Sequence, residues 1–288
     1  MICISRITGL VFAIATITII PLSSPAEDGV TLRATGVPKG GTPPEQMSSK
    51  DWADPDELKR TWDGAKVRIP LNTGLIKASM INLRNVPSGR KFPTVIYMHG
   101  CNGFHPGTDR RVDFLAKLNF AAIAPNSFAR IKVPSSCEPM THKAGMYRST
   151  LIMRQNEAQY AIREARKLIW VDSKNIFLMG HSEGGITTAT FTGEPVKARI
   201  IEGWGCHASW PEYHGLNALK TEPVLSIIGD KDPMLQNPAL QGDCGEFALN
   251  DASESVVFKS GYLRYEHFLF EYPEAKRIVR KFLEQNLN

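Results

Sequence analysis

A serine flanked by glycines has the spacing of an activated nucleophile. Residues 180–184 read Gly-His-Ser-Glu-Gly, which puts one glycine two positions before Ser182 and another two positions after it. A serine at a sharp turn between a strand and a helix needs such glycines, because the chain on either side of it approaches itself closely. Short sequence strings of this kind also occur by chance, so the flanking segments decide whether the serine is a candidate nucleophile. Here an apolar run at 175–179 precedes the serine and a helical stretch at 185–191 follows it, as the turn requires.

Serine is a weak nucleophile unless a base takes its proton and a third group orients that base. His267 is the candidate base, since it follows a strand predicted at 255–259 and precedes the last helix. The acid is expected in the loop after residues 224–228, where both Asp230 and Asp232 occur. We favour Asp232, because the two additional residues between it and the strand let the loop turn back toward the base. Asp230 remains the alternative acid. The alternative is that these side chains only cap helices or face solvent.

A developing oxyanion needs two backbone N–H donors aimed at one point. The residue after the nucleophile, Glu183, is expected to supply one, because it begins the helix. The second is expected from residues 99–103 (His-Gly-Cys-Asn-Gly), which follow a buried β-branched run. Cys101 is the favoured donor and Asn102 is the alternative. A glycine turn without any catalytic role would have the same sequence pattern. The loop can supply an oxyanion donor only if it lies opposite Ser182.

Strand-like and helix-like segments alternate along the chain from residue 66 onward. Buried strands read as continuous apolar runs, whereas helices show apolar residues three and four positions apart. Their alternation favours a mostly parallel central sheet with helices on both faces, in one α/β domain at residues 65–288. The predicted strands are 66–70, 75–83, 94–98, 120–124, 175–179, 199–204, 224–228 and 255–259, and the predicted helices are 109–118, 153–169, 185–191 and 273–285.

Together these residues resemble the α/β-hydrolase superfamily and, more narrowly, its dienelactone hydrolase-like branch. The resemblance implies an α/β-hydrolase fold and a serine hydrolase that cleaves a carboxylic ester through Ser182, Asp232 and His267. It covers about residues 66–288. It rests on the turns at 99–103 and 180–185, on residues 126–130 (Asn-Ser-Phe-Ala-Arg) with Cys137 beyond them, on residues 229–232 (Gly-Asp-Lys-Asp), and on His267.

Two departures from this branch bear on the substrate. The enzyme that names the branch uses a cysteine nucleophile on a dienelactone, whereas this chain has Ser182. Asn126 stands where similar sequences tend to carry an acid. Both departures favour an ester or similar acyl substrate over a dienelactone. A serine peptidase of the same superfamily is disfavoured because no propeller or large cap domain is predicted. A catalytically silent fold that serves as a binding protein is the alternative from another class.

The first 26 residues are interpreted as an export signal. Arg6 supplies a positive start, and residues 7–20 form an uncharged, mostly apolar run that is shorter than the about 20 residues a bilayer core needs. Small residues at Ala26 and two positions before it predict cleavage after Ala26. The protein is then secreted or periplasmic, with no membrane span once the signal is removed; a retained anchor or a buried first helix is the alternative. Residues 27–64, rich in glycine, proline, serine and charge, are predicted to form an irregular extension.

An exported protein enters an oxidising compartment, where cysteines form disulfides. Removal of the signal takes away Cys3 and leaves four cysteines, for which three pairings exist. The family resemblance implies the pairs Cys206–Cys244 and Cys101–Cys137. A Cys206–Cys244 bridge would close a loop of about 40 residues and contribute about 4 kcal/mol in the chain-entropy model. Buried free thiols are the alternative.

Composition excludes several other classes of protein. With 42% hydrophobic and 22% charged residues, the chain is too apolar for a disordered protein. Its 34 basic and 29 acidic residues are spread without any run of five basic ones, so no nucleic-acid surface is indicated. The sequence has no cofactor fingerprint and no metal-ligand spacing, and a small-molecule ester is the expected partner. Trp204, Trp210 and Tyr213 follow a strand end and are expected either to line an acyl pocket or to pack in the core.

Overall fold

The computed structural model describes residues 47–86, 89–133, 136–138, 141–144 and 147–287. A mixed eight-stranded sheet forms the centre of this part of the chain. The predicted signal at residues 1–26, its cleavage after Ala26 and residues 27–46 of the predicted extension lie outside the described residues. The strands are β1 (Lys66–Leu71), β2 (Gly74–Ser79), β3 (Phe92–Met98), β4 (Ala121–Ala124), β5 (Val171–His181), β6 (Arg199–Glu202), β7 (Val224–Gly229) and β8 (Glu254–Phe258). The helices are α1 (Ser49–Trp52), α2 (Pro55–Asp63), α3 (Pro106–Lys117), α4 (Ser149–Lys167), α5 (Glu183–Thr190) and α6 (Pro273–Gln285).

The strands follow the order β2-β1-β4-β3-β5-β6-β7-β8 across the sheet. β1 is antiparallel to both β2 and β4, and the neighbouring pairs from β4 to β8 are parallel. The prediction of a mostly parallel sheet is confirmed. Because the carboxyl ends of parallel strands meet at one edge, the loops after β3, β5, β6, β7 and β8 lie along the same edge of the sheet.

Helices cover both faces of the sheet, because successive side chains of a strand point to opposite sides. Tyr97 of β3 belongs to a buried cluster with Val112 of α3 and Val279 of α6. Its neighbour Ile96 belongs to a second buried cluster, which contains Ile162 of α4. The arrangement of helices predicted from the alternating pattern is therefore confirmed.

Two predicted strands are shorter in the structure. The strand predicted at 75–83 ends at Ser79, and residues 80–82 form a 3₁₀ turn. The strand predicted at 199–204 ends at Glu202, because Gly203 adopts a φ of 68°, which an extended strand does not permit.

The prediction of an irregular extension is wrong over residues 49–52 and 55–63, which form α1 and α2. The side chain of Asp54 caps α2 by accepting hydrogen bonds from two N–H groups of its first turn at 2.8 and 3.1 Å, and Pro55 occupies the first helical position. Trp62 then packs into the same buried cluster as α4. A helix this short is stabilised mainly by such packing, which its turn-rich sequence does not reveal.

Candidate active site

Ser182 occupies the sharp turn between β5 and α5. Its φ of 57° and ψ of −120° lie in a region that residues other than glycine rarely adopt. A Cβ on Gly180 would overlap the carbonyl oxygen of Gly184, and a Cβ on Gly184 would overlap the carbonyl oxygen of Met98. Both glycines are therefore needed for this turn, and the end of β3 packs directly against it.

The imidazole of His267 and the carboxylate of Asp232 form a buried hydrogen-bonded pair. His267 Nδ1 lies 2.6 Å from Asp232 Oδ2. Since an ionised carboxylate only accepts, we assign the proton to Nδ1. The second oxygen of the carboxylate, Oδ1, accepts from the N–H of Met234 at 2.9 Å. Asp232 therefore caps the turn at 233–235 and orients the imidazole at the same time.

Asp230 has a different partner. Its two carboxylate oxygens accept hydrogen bonds from Nε and Nη2 of Arg264 at 2.9 and 2.8 Å, and these bonds hold the pKa of Asp230 below its usual value. The N–H of Asp232 donates to the carbonyl of Gly229 at 3.1 Å, which turns the loop back. The structure therefore brings Asp232, and not Asp230, to His267.

Ser182 and His267 both lie against the end of β6. The N–H of Ser182 donates to the carbonyl of Glu202 at 2.8 Å. The next residue, Gly203, packs against the imidazole, since a Cβ there would lie 3.0 Å from His267 Cε1. His267 Nε2 is buried and makes no hydrogen bond with any residue that the structure describes. With the proton on Nδ1, this nitrogen is an acceptor, and hydrogen bonds between a base and its nucleophile commonly tighten only when substrate binds.

His181, which the motif assigns only to the turn, also contacts the base. Its Nε2 donates to the carbonyl oxygen of His267 at 3.1 Å. Its ring centroid lies 4.8 Å from that of His267 and 4.7 Å from that of Phe268. Burial, followed by the nearby His267, holds the pKa of His181 well below its usual value, so the ring is neutral. The sequence marked His181 only by its place next to the serine, because its partner lies 86 positions away.

The loop after β3 lies beside Ser182. A Cβ on Gly100 would be 3.4 Å from Ser182 Cβ, which is van der Waals contact. The N–H of Gly103 donates to the carbonyl of Gly100 at 3.2 Å and closes the turn. The predicted donor Cys101 and the alternative Asn102 follow directly after the residue that touches the serine. Gly100 of this loop is therefore next to Ser182, and the assignment of an oxyanion donor to Cys101 or Asn102 stays a prediction.

Glu183 is the first residue of α5. The first hydrogen bond within this helix runs from the N–H of Ile186 to the carbonyl of Ser182 at 2.9 Å. The N–H of Glu183 precedes that bond and has no acceptor within the helix. Of the two predicted donors, Glu183 follows Ser182 directly in the chain, and Cys101 follows Gly100, which packs against the serine.

A buried polar cluster contacts both of these turns. Arg154 donates a hydrogen bond from Nη2 to the carbonyl oxygen of His99, and its Nε lies 3.8 Å from Glu183 Oε1. Ser136 donates its hydroxyl to Glu183 Oε2. Burial raises the pKa of the Glu183 carboxyl. Sequence reasoning missed Arg154 and Ser136, since no local pattern marks the partner of a distant turn.

The four cysteines beyond the predicted signal form two disulfides, Cys101–Cys137 and Cys206–Cys244, with Cα atoms 5.8 and 5.0 Å apart. These are the pairs that the family resemblance implied. The first ties the loop after β3 to residues 136–138. The second ties the loop after β6 to a 3₁₀ turn that begins at Cys244.

Trp204 and Tyr213 are buried core residues. They are 5% and 4% exposed, and both belong to a buried cluster with Ile186 of α5. Trp210 packs edge-on against Tyr213, with ring centroids 5.2 Å apart. The core interpretation of Trp204 and Tyr213 is therefore the correct one.

Within the described residues, no group of three or more histidine, cysteine, aspartate or glutamate side chains could hold a metal ion. No helix in the same part of the chain combines the length and the apolar character that a membrane span needs.

Comparison with solved structures identifies the fold. The chain is similar to a dienelactone hydrolase-like promiscuous phosphotriesterase from metagenomic libraries, at 18% identity and a TM-score of 0.52 over 77% of this chain and 98% of the other. It is also similar to Est1E from Butyrivibrio proteoclasticus, solved with ferulic acid bound, at 15% identity and a TM-score of 0.50 over 77% of this chain and 94% of the other. A third similar structure is the Pyrococcus furiosus esterase Pf2001, at 15% identity and a TM-score of 0.50 over 81% of this chain and 96% of the other. No protein-family model and no curated protein matches the chain. At these identities the likeness shows the fold, and the chain has the α/β-hydrolase fold of dienelactone hydrolase-like proteins.

Proposed function

We propose that this protein is a serine hydrolase that cleaves carboxylic esters, with Ser182, Asp232 and His267 as its triad. The observation that carries the proposal is the buried Asp232–His267 pair, whose imidazole packs against Gly203. The preceding residue, Glu202, accepts the N–H of Ser182 at its carbonyl oxygen. A serine at positive φ costs backbone strain, and a buried carboxylate costs desolvation. A role in nucleophilic catalysis explains why the fold retains both the backbone strain and the buried carboxylate, whereas packing alone does not explain either.

The acylation half of the reaction uses each of these groups once. Ser182 Oγ attacks the ester carbonyl carbon while His267 Nε2 accepts the hydroxyl proton. The carboxylate of Asp232 stabilises the imidazolium that forms and keeps it oriented. The N–H groups of Glu183 and Cys101 donate to the oxygen that becomes negative in the tetrahedral intermediate. As this intermediate collapses, the imidazolium returns its proton to the departing alcohol, which leaves an acyl group on Ser182.

Deacylation repeats these steps with water as the nucleophile. His267 Nε2 takes a proton from the water molecule, and the same two N–H groups hold the second oxyanion. The proton then passes to Ser182 Oγ as the carboxylic acid leaves. The base thus returns to its starting protonation state after each turnover.

The structural neighbours support an ester as the substrate class. One neighbour is named an esterase, one is named a dienelactone hydrolase-like phosphotriesterase, and one binds ferulic acid, a carboxylic acid. Carboxylic acids are the products that hydrolysis through an acyl-enzyme releases.

We also propose that the protein is exported and either secreted or periplasmic. In this proposal residues 1–26 are a signal removed after Ala26, and residues 65–288 form one hydrolase domain onto which α2 packs. Two disulfides support an oxidising compartment, since cytosolic proteins rarely keep them.

A panel of nitrophenyl esters with graded acyl length tests the proposed activity. We expect the wild type to hydrolyse at least the short-chain esters and to react with a fluorophosphonate probe. The Ser182→Ala variant should do neither. Ser173→Ala is the matched control, because Ser173 is exposed near the other end of β5. Equal hydrolysis by the wild type and Ser182→Ala would remove Ser182 from the mechanism. A wild type that neither hydrolyses esters nor takes up the probe would indicate a silent binding fold, and cleavage of amides alone would indicate a peptidase.

A further inference from the structure

Two adjacent residues, Ser136 and Cys137, each attach to one of the two proposed oxyanion donors. Cys137 forms a disulfide with Cys101 in the loop after β3. The hydroxyl of Ser136 donates a hydrogen bond to the carboxylate of Glu183 at the start of α5. Ser136 and Cys137 are 1% and 2% exposed, so both attachments are shielded from water.

This pair therefore joins two elements that are distant in sequence. The disulfide spans 36 positions, and the hydrogen bond spans 47. Consecutive Cα atoms are about 3.8 Å apart, so a single peptide unit connects the two attachments. Any change in the distance between Cys101 and Glu183 must deform this short connection or break one of its ends.

Neither donor N–H takes part in the hydrogen bond that closes its own turn, since these bonds run from Gly103 to Gly100 and from Ile186 to Ser182. Cys101 lies between Gly100 and Gly103, and the latter has a φ of 72°. Glycine gives a turn wide conformational freedom, so the turn by itself does not fix the direction of the Cys101 N–H. Glu183 is in the first turn of α5, whose N–H groups have no partners within the helix. A restraint from outside its own element can therefore act on the direction of each donor.

The carboxylate of Glu183 is well placed to transmit such a restraint. It is buried, and Arg154 Nε approaches its other oxygen only to 3.8 Å, which is beyond normal hydrogen-bond distance. A buried carboxylate without a hydrogen-bond donor is costly, so the bond from the Ser136 hydroxyl resists separation of the two residues.

We propose that Ser136 and the Cys101–Cys137 disulfide are positioning groups, which set the separation and direction of the two N–H donors of the oxyanion hole. This assignment rests on the proposed function. Neither group touches the reacting atoms; they act through the main chains of Cys101 and Glu183. Donors must lie about 2.7–3.1 Å from the oxyanion, and a misplacement of about 1 Å costs on the order of 100-fold in rate.

This role predicts a defect confined to the transition state. In Ser136→Ala, and separately in the double variant Cys101→Ser/Cys137→Ser, we expect kcat for a nitrophenyl ester to fall about 10- to 100-fold. KM should stay within about twofold, because the ground-state ester makes weaker use of the oxyanion donors. Ser136→Thr keeps the hydroxyl and should recover most of kcat.

A transition-state analogue separates this role from general destabilisation. A trifluoromethyl ketone adds Ser182 Oγ to its carbonyl carbon and places an oxyanion at the two donors. Its Ki should rise in the variants by the same factor by which kcat falls, whereas Ki for the corresponding methyl ketone should change little. Cys206→Ser/Cys244→Ser is the matched control, since its disulfide spans 38 positions and should lower Tm about as much through chain entropy. It should leave the ratio of the two Ki values unchanged.

The outcomes are distinguishable from failure of the proposed function. Absence of Ser182-dependent hydrolysis in the wild type would overturn that function and this assignment together. Normal wild-type hydrolysis with kcat unchanged in Ser136→Ala would overturn this assignment alone, as would a loss in which KM and both Ki values rise together. If the double cysteine variant does not fold, the comparison of Ser136→Ala with Ser136→Thr decides.

Discussion

His267 Nδ1 lies 2.6 Å from Asp232 Oδ2, and both residues are almost completely buried. The second oxygen of this carboxylate accepts the N–H of Met234, which prevents the carboxylate from rotating freely. The arrangement holds the proton on Nδ1 and leaves Nε2 as an acceptor. One aspartate thus determines both the orientation and the tautomer of the imidazole.

Substitution of Asp232 and of Asp230 should have different effects on activity, because only Asp232 binds His267. We expect Asp232→Asn to lower kcat/KM for a nitrophenyl ester by about 10³- to 10⁴-fold, because an amide can donate to Nδ1 and favour the wrong tautomer. Asp230→Asn, the matched control, should change kcat/KM by less than about threefold, because the carboxylate of Asp230 binds Arg264 and not His267. Similar losses in both variants would contradict the assignment of the acid.

The buried His181 makes stability depend on pH. The folded protein keeps this imidazole neutral to a pH well below 6.5, whereas the unfolded chain binds a proton near 6.5. Between these two values the unfolded state carries one more proton, so the free energy of unfolding falls as the pH decreases, by at most about 1.4 kcal/mol per pH unit.

Urea unfolding of His181→Gln between pH 5 and 7.5 tests this dependence. The glutamine can still donate to the His267 carbonyl but does not titrate, so the slope of the free energy of unfolding against pH should be smaller than in the wild type. It should not vanish, because burial also lowers the pKa of His99. Replacement of the exposed His214 by glutamine is the control for removing one histidine. An unchanged slope in His181→Gln would show that His181 titrates alike in the folded and unfolded states.

The turn at Ser182 should not tolerate a side chain on its second glycine, Gly184. In Gly184→Ala the new Cβ would overlap the carbonyl oxygen of Met98, so we expect the free energy of unfolding to fall by about 3 kcal/mol or more. Gly245→Ala is the control: Gly245 is exposed, and the atom nearest to the new Cβ is the end of the Asp243 side chain rather than backbone, so the loss should be below about 1 kcal/mol. Urea midpoints of both variants give the comparison, and equal midpoints would argue against close packing at the turn.

Two arginine–glutamate pairs offer a matched test of buried charge. Arg111 donates to both oxygens of Glu202 at 2.9 and 2.6 Å, and both side chains are fully buried. Arg148 binds Glu212 in the same two-point manner, but both side chains are exposed. Arg111→Met should lower the free energy of unfolding by about 3–5 kcal/mol, since it leaves a buried carboxylate unpaired. Arg148→Met should cost at most about 1 kcal/mol. Chemical denaturation of both variants measures the difference, and equal costs would contradict the role of burial.

The predicted signal can be tested on the exported protein itself. Cleavage after Ala26 predicts that the mature chain begins at Glu27, which N-terminal sequencing of protein from the medium or periplasm would show. Ser24→Phe places a bulky side chain at a position that the peptidase reads, so the precursor should accumulate. A full-length N-terminus on exported wild-type protein would refute cleavage.

The sequence predicted much of the site, because its most informative parts are local. The glycines around Ser182 and the apolar runs before it are contiguous, and the order of serine, acid and histidine follows from the order of the strand ends. The helix α2 was missed for the opposite reason. Its proline and acidic start resembles a loop, and only the burial of Trp62 against the core shows that it is a helix.

The sequence predicted helices and strands better than it predicted which side chains contact one another in the fold. His181 was noticed as part of the motif, but its bond to the His267 carbonyl was not. Ser136 was not noticed at all, although its hydroxyl bonds to Glu183. Such contacts depend on where each loop leaves the sheet and on which rotamers its neighbours allow.

By itself, the sequence determined the succession of strands and helices, the turn at Ser182 and the loop that carries Asp230 and Asp232, because hydrophobic periodicity and glycine spacing act over a few adjacent residues. Only the tertiary structure decided that Asp232 rather than Asp230 meets His267, and that the segment at Ser136 connects to α5. These contacts join residues 35 and 47 positions apart. At that separation the packing of the whole sheet sets the distance between two side chains, and no local pattern encodes it.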